Sequence, residues 1–144
     1  MRALLLVVLV PFVLGCGKDD PKPQIIHTAI DGSWTYTTPD NYLKVTFDLT
    51  RISDMELAIS NTQIFISDVE GSAAGDVADV NLPSIDWLRI NANDAALQYG
   101  YFILFTNCSV SGDFSRITAT DAEYTISKSK TKKLSSVVIV RAPE

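Results

Sequence analysis

Apolar residues alternate along this chain with a period of two, and no stretch sustains the 3.6-residue period of an amphipathic helix. Tyr42 to Thr50 shows it most clearly. Leu43, Val45, Phe47 and Leu49 fall on one face; Lys44, Thr46, Asp48 and Thr50 fall on the other. Such a segment is a strand with one face in a core and one in water. Met55, Leu57 and Ile59 repeat the pattern, and Ser60-Asn61-Thr62 reads as a turn leading to Ile64 and Ile66 on a paired strand. Ser33 to Thr37 is a short strand opened by Asp31-Gly32, with Trp34 and Tyr36 on one face. Asp68 to Asn81 is rich in Gly, Ala and Asp and reads as a long loop with a short strand near Val77 to Val80. Further strands are expected at Ile85 to Asn91, Arg116 to Ala119, Ala122 to Ser127 and Ser135 to Arg141, with turns at Asn91 to Asp94 and Ser111 to Asp113.

Gln98 to Val110 is apolar on both faces, as in a strand covered on both sides. With turn signals every 8–12 residues or so, the pattern predicts an all-β domain, preferably an antiparallel two-layer β-sandwich. The competitor is a small closed barrel. Gly32-Ser33-Trp34 followed by a strand resembles the Gly-x-Trp opening of lipocalin-like proteins, and Val138 to Arg141 suits a closing strand. That resemblance implies Trp34 packing across a barrel floor against a late arginine, for which Arg141 is the candidate. It also implies carriage of a small apolar ligand.

The first 15 residues stand apart, since 12 of them are apolar. Ala3 to Leu14, interrupted by Pro11, is shorter than the roughly 20 residues that span a bilayer. With Arg2 before it, the run fits the apolar region of a signal peptide. Without residues 1–15 the apolar fraction falls from 47% to about 43%, which suffices for a single core. Val13-Leu14-Gly15-Cys16 resembles the lipobox of bacterial lipoproteins. The resemblance implies cleavage before Cys16 and a covalent lipid on its sulfur. Lys18-Asp19-Asp20 resembles the surface-export signal of Bacteroidetes lipoproteins, and Gly17 lacks the aspartate associated with inner-membrane retention. Together these imply an outer-membrane, outward-facing lipoprotein. Residues 16–24 then form anchor and tether. Pro21 and Pro23 favour an extended chain, and the eight residues after Cys16 reach about 28 Å at most. Residues 25–144 remain as one domain.

Charge and chemistry-bearing residues narrow the function. Net charge is −5, and residues 48–123 hold 12 acids against three arginines. An acidic body is a poor nucleic-acid partner. Lys128, Lys130, Lys132 and Lys133 form a basic cluster, read as a solvated hairpin loop with anionic head groups as the alternative. His27 is the one histidine, and nothing ties it to Cys108, which reads as a small buried hydrophobe. With Cys16 lipidated, no internal disulfide is expected. No catalytic set and no zinc set can be assembled. Asp68, Glu70, Asp76, Asp79 and Asn81 are calcium candidates in the long loop, since hard oxygens suit that ion, though without EF-hand spacing. Trp34 and Trp87, among the other aromatics, are candidates for a sugar-stacking platform against the alternative of core packing. The expectation is a non-enzymatic, lipid-anchored β-domain that binds a glycan, another ligand or an envelope partner and needs no cofactor beyond its covalent lipid. The alternatives are a structural accessory subunit and a lipocalin-like carrier.

Overall fold

The computed structural model describes residues 29–93 and 100–143. Eight strands follow one another: β1 (Gly32–Thr37), β2 (Leu43–Ser53), β3 (Glu56–Ile66), β4 (Val69–Asn81), β5 (Ser84–Ala92), β6 (Phe102–Val110), β7 (Arg116–Ser127) and β8 (Lys130–Arg141). Each pairs antiparallel with the next, and β8 returns to β1 through Trp34↔Arg141 and Thr35↔Val140. The fold is therefore a closed up-and-down barrel, and the two-layer sandwich is corrected to the barrel alternative. Closure leaves the sheet no second layer to pack against; every strand turns one face inward.

The misleading segment was the apolar run ending at Val110. Its residues do not face two cores. Ile103 and Phe105 point inward, then Cys108 and Val110 do, so the alternation slips by one residue at Asn107. Asn107 has φ 51°, in the left-handed region. The slip recurs on neighbouring strands: Ile85 and Leu88, and Ala119 and Ala122, are buried pairs three residues apart. Asn61 on β3, Asp79 on β4 and Ser136 on β8 carry φ values of 48°, 50° and 55°. Asn and Asp tolerate this conformation better than other residues with a Cβ. Irregularities of this kind bend strands and raise twist, which closing an eight-stranded sheet requires.

The same device explains the other departures from the periodicity. Ser60-Asn61-Thr62 is no turn; β3 runs through it, and the hairpin turn lies at Asp54-Met55. Met55 is therefore 76% exposed rather than inward. Beyond Asp68, which lies in a turn, the segment expected to be a loop is strand β4, Val69–Asn81. At one of its small residues, Gly75, the side chain of Ile59 leaves no room for a Cβ. The two short strands expected between Arg116 and Ser127 are one, β7, and the last strand begins at Lys130. Leu43, Val45, Phe47 and Leu49 do point inward as the period predicts, and Val138 and Val140 point outward.

The barrel has two unlike ends. The β2–β3, β4–β5 and β6–β7 connections lie at the end where the chain enters β1, here called the floor. The β1–β2, β3–β4 and β7–β8 connections lie at the other end, the mouth, where β5 also ends and β6 begins.

Candidate functional site

At the floor Trp34 is fully buried, and its Nε1 donates to the Ile30 carbonyl at 3.1 Å. The Arg141 guanidinium lies over the indole, 4.8 Å from the ring centroid. Arg141 also donates from Nε to the Phe114 carbonyl and from Nη1 to the Asp31 carbonyl, each at 2.6 Å, and from Nη2 to the Ala29 carbonyl. One side chain thus ties the chain's approach to β1, the β6–β7 connection and the end of β8 into a plug. A planar cation with a fork of donors suits this, since it satisfies several carbonyls while stacking on an aromatic face. The expected Trp34–Arg141 pairing is present.

The mouth is built from hydroxyls around one carboxylate. Pro39 follows Thr38, ends β1 and begins a tight connection in which Asn41 adopts φ 55°. This turn delivers Asp40 to the mouth. Asp40 Oδ1 accepts from Thr38 Oγ1 at 2.6 Å and from the Tyr42 N–H at 3.2 Å. Oδ2 accepts from the Tyr124 hydroxyl at 2.8 Å and from Lys132 Nζ at 3.2 Å. The hydrogen bond from Thr38, then those from Tyr124, Tyr42 and Lys132, hold the Asp40 carboxyl well below the usual carboxylate range. Burial pushes the Tyr36 phenol up to about 12, helped by Tyr124 and Asp40 nearby. Tyr42 rises to about 12 through burial and its hydrogen bond with Tyr101. Tyr124 is raised by burial and by its bond to Asp40. The Tyr36 ring meets Phe105 edge-on, with centroids 5.2 Å apart. Tyr36, Tyr42 and Tyr124 therefore present hydroxyls that hold their protons at this end of an apolar interior.

The structure sorts the residues singled out from the sequence. Trp34 is sealed in the floor and cannot be an exposed platform. Trp87 is half-buried on the outer wall, where with Arg89, Leu104 and Thr106 it lines a furrow of about 210 Å³. Arg89 is held there by stacking on Phe102, 5.1 Å from the ring centroid, and by donating to Asn91 at 2.8 Å. Asp68 sits in the β3–β4 turn, while Glu70, Asp76 and Asp79 are strung along β4. Among the described residues no three His, Cys, Asp or Glu side chains gather to hold a metal, so these calcium candidates are not brought together. Cys108 faces the interior, and burial with Asp86 nearby pushes its thiol up to about 12, so it is held protonated. Lys130, Lys132 and Lys133 belong to β8 rather than to a loop, and they stand at the mouth. Cys16, Lys18, Asp19 and Asp20 lie outside the described residues, as do His27 and Tyr99.

The Asp40–Tyr124–Lys132 group was not visible in the sequence. Its members lie 84 and 92 residues from Asp40, and Thr-Pro-Asp-Asn reads as an ordinary turn. Compared with known proteins, the chain matches no family model, no curated protein and no solved structure.

Proposed function

We propose that the protein is a lipid-anchored, non-enzymatic carrier that holds a small apolar or amphiphilic molecule in its barrel. The single observation behind this reading is the asymmetry of the barrel. One end is plugged by Trp34 and Arg141, the interior is apolar, and the other end carries hydroxyls that suit a polar head. The interior of an eight-stranded barrel is wide enough either to be filled by side chains or to hold one small ligand, and the carrier reading takes the second. The likeness to lipocalin-like proteins rests on the Gly-x-Trp opening and the late arginine, and it supports the fold more directly than the function. The lipobox-like Cys16 supports an anchor in the outer membrane. Ala29 and Asp31 meet Arg141 at the floor, so an anchor ahead of them tethers the barrel by its closed end.

Native mass spectrometry of the mature chain with a fluorescent fatty-acyl probe tests the carrier. One probe per chain is expected, with affinity reduced at least about fivefold in Tyr36→Ala, which alters the inner wall. No probe bound at saturation would overturn the reading. Intact mass of the membrane-extracted protein, beside Cys16→Ala, tests the anchor: acyl mass in the first and none in the second.

The Trp87 furrow favours a second reading, in which the outer wall binds a glycan by stacking a sugar face on the indole. Glycan-array signal abolished by Trp87→Ala, with probe uptake unchanged, would select it.

A further inference from the structure

β8 outruns its partner across the seam that closes the barrel. On its other side it is paired with β7 from Val140 to Lys130. Toward β1 it pairs only through Trp34↔Arg141 and Thr35↔Val140. Carried on, that register would set Tyr36 opposite Ile139 and Thr37 opposite Val138, but among the described residues no backbone pairing forms there. Beyond Thr37 the strand ends, and Pro39 has no N–H to give. Ser136, the residue the register would place opposite Pro39, has φ 55° and breaks the edge of β8.

The described hydrogen bonds from the β1–β2 connection to β7 and β8 are side-chain bonds to one atom. Asp40 Oδ2 receives Tyr124 from β7 and Lys132 from β8. Its other oxygen is fixed within its own turn, where Thr38 Oγ1 both donates to it and accepts from the Leu43 N–H at 3.0 Å. The turn is braced by these bonds, and its grip on β8 is open to water. The Asp40 and Lys132 side chains are 36% and 45% exposed, so solvent competes for that bond. Directly behind lie Tyr36, Tyr124, Val137 and Ile139, all buried against the interior.

We propose that the mouth half of the β1–β8 seam is the way into the barrel, clasped by Asp40, and that it parts when the clasp releases. The access role rests on the carrier reading; the clasp itself does not. A seam held at the floor by two backbone pairs and by the Ala142 N–H on the Ser33 carbonyl, and at the mouth by one carboxylate, is a hinge with a catch. Opening it breaks no further ladder, whereas parting β7 from β8 would break a ladder that runs almost the whole length of both strands.

Hydrogen exchange of the full mature chain, read by peptide mass spectrometry, tests this with Asp40→Asn and Lys132→Gln. Asp40→Asn keeps size and an acceptor but loses charge. Lys132→Gln alters an exposed residue and leaves the Tyr124–Asp40 bond. The expectation is that amides in β1 and in the mouth half of β8 exchange at least about tenfold faster in Asp40→Asn and less so in Lys132→Gln. Those flanking Trp34 and Arg141, and those of β5 and β6, should be unchanged. Association of the fatty-acyl probe should quicken in the same order. Exchange that is unchanged, or that rises evenly in all strands, would overturn the clasp. Faster seam exchange with unaltered probe association would overturn the access role while leaving the carrier standing. If the wild type takes up no probe, the carrier fails and the access role with it, and exchange alone decides whether the clasp exists.

Discussion

Arg141 does work at the floor that no apolar side chain could do. Three backbone carbonyls converge on it, and without it they would be left short of donors beside an uncovered indole. Arg141→Met is expected to cost about 2–4 kcal/mol and Arg141→Lys about half that, since lysine brings donors without the plane. Urea unfolding midpoints at constant slope would check both. Gly32 belongs to the same plug. Its φ is 134°, and a Cβ there would run into Arg141 Nη1. Gly32→Ala should cost about 1–3 kcal/mol. Combined with Arg141→Met it should cost clearly less than the sum, because the second change removes the atom in the way. A double-mutant cycle that sums to zero coupling would contradict this contact. This corner of the molecule was legible in advance. Gly32, Trp34 and Arg141 are rare types at telling positions, whereas Asp40, one of 17 acids in a turn-like context, carried no mark of its partners.

Single strands show where the period-two reading holds and where it breaks. β2 follows it through Leu43, Val45, Phe47 and Leu49 because a straight strand half-covered by a core has no other solution. β6 breaks it at Asn107, and the break turned a one-faced strand into an apparently two-faced one. That misreading made a sandwich look better than a barrel. The signal was present but faint: Asn61, Asp79 and Asn107 are the Asn and Asp residues found inside strands at positive φ. Asn107→Gly should therefore be tolerated within about 0.5 kcal/mol, while Asn107→Val, β-branched at φ 51°, should cost about 1–3 kcal/mol. Equal melting temperatures for the two variants would show that the irregularity is not needed. A relaxed strand at this point would also turn Cys108 and Val110 outward, so the valine variant should make the thiol reactive to a small alkylating reagent.

Over the whole barrel, ionisable groups are placed so that stability has a broad plateau and two limbs. The chain's approach to the floor and the lysines of the β7–β8 hairpin lie at opposite ends of the barrel. At the mouth, Lys132 serves Asp40. On the acid side, Asp40 and Asp113 both have folded pKa values below the ordinary 3.8. Asp113 lies at about 2, held by Ser111 and then by the hydroxyl and N–H of Ser115. Groups lowered on folding contribute stability that is fully present above 3.8 and lost as pH falls below it toward their folded values. On the alkaline side, Tyr36 and Tyr42 have folded values near 12 against an ordinary 10.0, and Tyr124 is raised as well. Their contribution is complete below 10.0 and disappears as pH rises from 10 to 12, because the unfolded chain sheds phenolic protons that the folded chain retains. The melting temperature is thus expected to be flat between about pH 5 and 9 and to drop by several degrees on either side. Tyr36→Phe should make the alkaline limb shallower by about one proton, while Asp40→Asn should make the acid limb shallower, with Asp113 still contributing, and should also lessen the alkaline limb, because the Asp40 charge helps to raise Tyr36, Tyr42 and Tyr124. A phenolate absorbance titration of the folded protein gives an independent reading. Absorbance from Tyr36, Tyr42 and Tyr124 should appear only well above 10.0, and if these three ionised near 10 while the barrel stayed intact, their hydroxyls would stand in water rather than over a closed interior.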